Sequence, residues 1–312
     1  MRIGLDIMGG DFAPAATVAG AVMARKELPV DTELVLIGDK DQVLTELKAL
    51  DANPSDFSFY HTTEVLEMGD HPVKSFSKKK GSSLVKGFEL LKQEQLDGFC
   101  SAGNTGAMLA GAMFSVKSIP GIIRPAIAAA LPKAKGGVNL VLDVGLNPDA
   151  RPDVLYQYAM MGSMYSEHVY GTTNPRVGLL NIGSEGDKGN LLTKSAYHAM
   201  EDSSDFNFVG NVEGNEFFAD KTDVIVCDGF TGNVALKQAE SFYYLMKKAK
   251  VDSPFIEKFN YESFGGTPIL GIGSPVLIGH GISSGLAIKN MILQNRIIVE
   301  SELVEKFRKA FK

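Results

Sequence analysis

Residues 177–200 read VGLLNIGSEGDKGNLLTKSAYHAM, and this stretch decides the fold class. Residues 177–182 form a short apolar run, as expected of a strand buried in a sheet. Residues 181–190, NIGSEGDKGN, crowd Gly, Asn and Ser together, which breaks regular structure and makes a turn. Residues 191–200 resume with a helical pattern. Strand, glycine-rich turn and helix in succession make one βα step of a parallel sheet.

The step recurs in both directions along the chain. Strand-like runs occupy residues 3–7, 34–37, 98–101, 127–131, 138–143 and 224–227. Helical patterns occupy 42–50, 82–91, 105–114, 152–167 and 234–247, and 286–311 reads as two helices or one bent helix. Strands alternating with helices predict an α/β fold with a largely parallel sheet and Gly-rich strand-to-helix turns. There is no fixed-period repeat, no low-complexity tract and no clean linker. Continuity is weakest at 250–266, a short irregular excursion, so residues 1–312 are expected to form a single α/β domain.

Composition narrows the function. A chain of 312 residues, 45% apolar and 22% charged, builds a core without disulfide or metal staples. Lys plus Arg is 31 and Asp plus Glu is 37, a formal charge of −6. That argues against nucleic acid as the main partner, because phosphate-backbone binding needs excess cations. Two cysteines, Cys100 and Cys227, make neither a disulfide framework nor a four-cysteine zinc site. The opening MRIGLDIMGGD has no basic segment followed by an apolar one, so no secretory signal is expected. No apolar run reaches the ~18 residues of a membrane-spanning helix, and a cytoplasmic protein is expected.

Five strand ends carry the same kind of turn: MGGD (8–11), SAGNTG (101–106), DVGLN (143–147), NIGSEGDKGN (181–190) and DGFTGN (228–233). In a parallel sheet such turns share the carboxyl edge, where ligands bind. Gly lets a backbone approach closely, Asn, Ser, Thr and Asp cap helices, and helix-start N–H groups favour an anion. None of the five is a P-loop, and none matches a dinucleotide fingerprint.

Together with NVEGN (211–215) and IGHG (278–281), these turns resemble the acyl-carrier-protein:phosphate acyltransferase (PlsX) family over residues 1–290. The resemblance implies conversion of a fatty acyl-ACP and inorganic phosphate to acyl phosphate and free ACP. The product would feed phospholipid synthesis through a membrane glycerol-3-phosphate acyltransferase. It implies a two-lobed fold similar to that of phosphotransacetylase and isocitrate dehydrogenase, a homodimer, and peripheral contact with the inner face of the membrane. No metal or cofactor is implied. The chain departs from the family pattern at Leu146, at Ser184-Glu185-Gly186, at residues 147–152, and in a shorter segment between Asn233 and Gly265. That segment carries the membrane contact in the family, so the shortening bears on membrane binding and leaves the chemistry intact.

Attack of an anionic phosphate on a thioester needs positioning and an oxyanion hole more than a strong base. Asn104, Lys188 and His280 are the catalytic candidates, Lys188 as the phosphate-binding cation. Asp6, Gly9, Gly10, Asp11, Ser101, Gly103, Thr105, Asn147, Glu185, Asn190, Asp228, Thr231 and Asn233 are the substrate-binding candidates. These aspartates, and Asp143 at another strand end, would orient lysines, amides or N–H groups rather than meet phosphate. Cys100 and Cys227 lie in apolar strands and read as packing residues. Lys78, Lys79 and Lys80 head a basic cluster with Lys74, Lys86, Arg124, Lys133 and Lys135, suited to docking an acidic carrier protein. Residues 255–264, with Phe255, Ile256, Phe259, Tyr261 and Phe264, suit an interface or lipid. A short-chain phosphate acyltransferase using acyl-CoA and a non-catalytic carrier-binding protein are the alternatives. A decarboxylating dehydrogenase lacks its nucleotide fingerprint.

Overall fold

The computed structural model describes residues 1–312, with every side chain but that of Tyr261. The chain begins with β1 (Arg2–Asp6), α1 (Ala15–Arg25), β2 (Glu33–Gly38), α2 (Lys40–Ala49), β3 (Ser58–His61), α3 (Pro72–Lys78), α4 (Ser83–Lys92), β4 (Gly98–Ser101) and α5 (Thr105–Gly111). It continues through β5 (Ala126–Pro132), β6 (Val138–Leu142), α6 (Pro152–Tyr170), β7 (Arg176–Leu180), α7 (Leu191–Met200), β8 (Asn207–Val212), β9 (Val224–Val226), α8 (Gly229–Lys248) and α9 (Pro254–Glu257). It closes with β10 (Thr267–Leu270), β11 (Val276–Ile278), α10 (Gly285–Glu300) and α11 (Leu303–Ala310). Two compact units result: Met1–Ser118 with Tyr261–Val304, and Ile119–Asn260 with Glu305–Lys312.

In the first unit the strand order is β3-β2-β1-β4-β11-β10. Every pair there from β3 to β11 is parallel, and β10 runs antiparallel to β11. Leu84, Phe88 and Leu91 of α4 recur at helical spacing and are buried against Val35, Ile37 and Phe99. The Phe88 and Phe99 rings meet edge to face at 5.2 Å. Fully buried, a phenylalanine contributes on the order of 2–3 kcal/mol by area.

In the second unit the order is β5-β6-β9-β7-β8, with β5 antiparallel to β6 and the rest parallel. Helix α6 buries Tyr158, Ala159, Met161 and Tyr165 on that sheet. At the edge where β6 and β9 begin, buried Lys133 pairs with Asp223, and Arg176 holds Asp223 and Asp220 at 2.9 Å each. Burial works against the Asp223 carboxylate, yet hydrogen bonds from Arg176 and Lys133 hold it well below the usual carboxylate range.

The largely parallel α/β architecture follows the sequence expectation, with differences of physical origin. Helix α8 begins at Gly229 rather than at 234, because Asp228 caps it with both carboxylate oxygens, one on Thr231 N (2.8 Å) and one on Thr231 Oγ1 (2.7 Å). The helical run at 105–114 divides: α5 ends at Gly111 and a wider π turn follows over Ala112–Val116. Residues 286–311 are two helices. Residues 250–266 hold α9 and a short 3-10 turn, Tyr261–Ser263. Lys133 leaves the basic cluster, since its ammonium is buried in the ion network.

Candidate active site

The five turns stand at the carboxyl ends of β1, β4, β6, β7 and β9, two in the first unit and three in the second. In the first unit they gather around Asp6. Its buried carboxylate accepts from Ser101 Oγ (2.7 Å), Met8 N (3.1 Å), the Ser83 hydroxyl and Gly9 N. Burial pushes its pKa up, and these hydrogen bonds only partly offset the rise. A Cβ at Gly9 would lie 2.6 Å from the Asp6 carboxylate and 2.8 Å from Gly103 N, so only glycine fits. Asp11 N donates to Gly281 O of the IGHG turn (2.7 Å), which brings Gly10 and Asp11 beside that turn. Asn104 caps α5 through Oδ1 on Ala107 N (3.0 Å), and its Nδ2 donates to Met68 O (2.8 Å) and Asp70 O (3.1 Å). Its amide is therefore spent on structure.

In the second unit the organiser is Asp143, a strand-end acid of the kind expected to orient N–H groups. Its Oδ1 accepts from Ile127 N (3.0 Å), Gly145 N (3.2 Å) and Leu146 N (3.1 Å), and its Oδ2 from Asn147 N (2.6 Å) and Asn147 Nδ2 (3.1 Å). Asn147 passes the order outward: Nδ2 also reaches Pro125 O and Tyr158 Oη, and its carbonyl accepts from Gly229 N (2.8 Å). Burial, then the adjacent Asp143 charge, push the Tyr158 phenol up. A Cβ at Gly232 would collide with the Asp143 carbonyl, so the glycine sets how close α8 comes to the turn. A residue that the sequence reading missed is Asn211 on β8. It joins Asn181 (3.1 Å) and Glu185 O (2.8 Å) and pins the 181–190 loop. The signal available for it was the NVEGN run, whose first residue it is.

Around these organisers the second unit opens two adjoining cavities. One, of about 600 Å³, is mostly apolar and lined by Leu155, Leu180, Ile182, Phe217, Cys227 and Val234 among others. The other, of about 450 Å³, is the more polar of the two, with about half of its lining polar, and is lined by Pro148, Asp149, Ala150 and Leu192 beside the shared rim. They share a rim of Asn190, Asp228, Phe230 and Thr231. Two helices start there. Asn190 Oδ1 caps α7 on Thr193 N (2.9 Å) and Asp228 caps α8. In the first turn of α8, Gly229 N is taken by Asn147 and Thr231 N by Asp228, while Phe230 N has no partner among the described residues. Helix-start N–H groups at a rim between apolar and polar space suit an acyl group with a polar end.

The remaining candidates fall outside those cavities. Lys188 is exposed, with its stem over Gly183, and its carbonyl accepts from Asn181 Nδ2 (3.1 Å). Glu185 is exposed on the same loop, and Asn233 is exposed with its side chain near Gly145. Thr105 is exposed at the start of α5, and His280 is half-buried. Lys78 and Lys80 are exposed, but Lys79 is tied to Asp70 (2.7 Å) and Val65 O (2.9 Å). Burial pushes the thiols of Cys100 and Cys227 up, which suits packing residues rather than nucleophiles. No cluster of three metal-binding side chains occurs among the described residues.

Comparison with known proteins agrees with this architecture. A family model described as "Fatty acid synthesis protein" matches residues 1–306. A phosphate acyltransferase from Oceanobacillus iheyensis is 43% identical, over 97% of this chain and 95% of its own. One from Halothermothrix orenii is 42% identical over 97% of this chain and 96% of its own. Among solved structures, a branched-chain phosphotransacylase from Enterococcus faecalis superposes with a TM-score of 0.65 over 96% of this chain and 99% of that one. At 13% identity that likeness establishes the fold alone.

Proposed function

The chain belongs to the fatty acid synthesis protein family and is a phosphate acyltransferase, and from that premise we propose how its second unit carries out the transfer. The substrates are a fatty acyl-ACP and inorganic phosphate, and the products are acyl phosphate and ACP, which serve phospholipid synthesis. The observation that carries the reading is the rim of Asn190, Asp228, Phe230 and Thr231 shared by an apolar and a polar cavity. The thioester carbonyl sits at that rim with phosphate on the polar side. A phosphate oxygen attacks the carbonyl carbon and the C=O electrons move to oxygen. The free Phe230 N–H and the start of α7 face that charge. Collapse re-forms the carbonyl and breaks the C–S bond, and the carrier thiolate leaves with the electron pair and takes a proton from water. With a thiol pKa near 8.5 the leaving group needs no strong acid.

Supporting roles follow from position. Asp143 and Asn147 hold the α8 start, and so act as positioning residues. Lys188, on the loop that ends at Asn190, is proposed as the charge that attracts phosphate, and Glu185 as a residue that holds the loop through its carbonyl on Asn211. Lys78 and Lys80 supply the exposed charge of a docking patch for the acidic carrier. Phe242, Tyr244 and Leu245, exposed on α8, are proposed as part of a homodimer contact. No helix among the described residues is long and apolar enough to cross a membrane. The decisive assay incubates the protein with acyl-ACP, phosphate and hydroxylamine. Hydroxylamine cleaves thioesters directly as well, so the readout is acyl hydroxamate formed above that background. It should rise only when enzyme and phosphate are both present, and a rate no greater than without enzyme refutes the reading.

A further inference from the structure

The apolar cavity is a groove along one face of α8. Thr231, Val234, Ala235 and Gln238 line it at the i, i+3, i+4, i+7 spacing that puts side chains on one helix stripe. At 1.5 Å per residue, Gln238 lies about 10 Å beyond Thr231. The groove therefore has a reacting end, where it meets the polar cavity at Asp228 and Thr231, and a distal end at Gln238. Its depth is also defined. Leu155 and Cys227 are 1% and 3% exposed and form the floor, whereas Ile182 and Val234 are 81% and 55% exposed and form the lip.

From this geometry we infer that the groove receives the acyl chain lengthwise, and that Ala235 and Gln238 set which chain lengths are accepted. The inference rests on the transferase reading for the chemistry at the rim. It selects a long chain. At roughly 30 Å³ per water-sized group, a two-carbon acyl group would leave most of the 600 Å³ empty. A chain of about ten or more carbons would cover the floor and line up with the stripe. Ala235 is the smallest side chain on that stripe, one turn past Thr231, so it leaves the passage open where a larger residue would close it. Gln238, amphipathic and at the far end, marks where chain meets solvent. The order of the stripe fixes a direction: carbonyl at Thr231, methyl end toward Gln238.

The test uses the full chain and two probes, dodecyl phosphate and butyl phosphate, with binding followed by calorimetry. The native protein should bind dodecyl phosphate at least about tenfold more tightly than butyl phosphate. Ala235→Phe should weaken dodecyl phosphate about tenfold and leave butyl phosphate within about twofold. Gln238→Leu, at an exposed helix position that tolerates the change, should tighten dodecyl phosphate a fewfold and leave butyl phosphate alone. Turnover with dodecanoyl-ACP and butyryl-ACP should follow the same pattern. Equal binding of both probes by the native protein, or equal loss of both in Ala235→Phe, overturns the groove assignment. If the probes behave as stated but no thioester yields acyl phosphate, the transferase reading falls and the chain-binding groove stands.

Discussion

Asp6 in the first unit and Asp143 in the second do the same job with different partners. Each is a buried carboxylate at the end of a central strand, and each holds a glycine turn. Asp6 is held largely by hydroxyls, those of Ser83 and Ser101. Asp143 is held by five N–H bonds, from Ile127, Gly145, Leu146 and twice from Asn147. A hydroxyl donates or accepts as it rotates, whereas an amide N–H only donates. The first arrangement tolerates a change at the carboxyl group; the second locks its turn to one acceptor. The locked turn is the one that sets the start of α8, and it borders the cavities.

The largest effect tests the second unit's use of fixed charge partners. Asp223→Ala leaves Lys133 buried without its closest counter-charge, so a loss of about 3–5 kcal/mol in denaturant unfolding is expected. Asp223 is depressed in the folded protein, so its contribution is present above the ordinary carboxylate pKa and disappears as pH falls through its lowered value. Next comes Asp143→Ala, which strands several donors at about 1–3 kcal/mol each before water enters the turn. Stability should fall by at least about 3 kcal/mol, and activity should fall with it as α8 loses its register. A loss below about 1 kcal/mol would dissolve the contrast with Asp6.

Asp6→Asn should be milder, about 1 kcal/mol at neutral pH, because the surrounding hydroxyls turn to suit an amide. Here the pH dependence has the opposite sign. The folded pKa of Asp6 is raised, so its contribution is complete below the unfolded value near 3.8 and declines as pH rises through the folded value. Melting temperatures of native and Asp6→Asn protein should converge from pH 4 upward, and widening there contradicts the assignment. Asn104→Ala and Asn190→Ala each remove a helix cap worth about 1 kcal/mol, but only Asn190→Ala touches the rim. Activity per folded molecule should drop clearly in the second alone. The smallest effect is Cys100→Ser. Its thiol is buried and pushed up, so most activity should survive, and trapping of an acyl-Cys100 adduct during turnover would reverse that view.

Much of this was legible in the sequence for reasons the residues make plain. Strands β1, β2, β4, β6, β7 and β9 are buried apolar runs, and Asn104, Asn190 and Asp228 cap helices as turn residues of their type do. What was missed lacks such signals. β3 and β8 lie at sheet edges with half-exposed residues, so SFYH and NFVGNV carry no continuous apolar run. β10 contains a proline, and α1 is rich in Ala and Gly, small residues that mark no clear stripe. Asp143 was read as one strand-end acid among several, because its five donors come from β5 as well as its own turn. Cys227 was read as packing, and it is buried; that it also floors a cavity depends on β7, α6 and α8 meeting around it.

The first unit is discontinuous, and synthesis has to contend with that. Phe99 of β4 pairs with Val276 of β11, so one edge of β4 has no strand to meet until the ribosome has made the whole intervening stretch. At about 5–20 residues per second, that edge waits roughly ten to thirty seconds. An unpaired apolar strand edge is a template for association with other nascent chains. A gene truncated before β11 should therefore yield a product that aggregates rather than a smaller folded enzyme, and a chaperone holding the nascent chain has its natural target at β4.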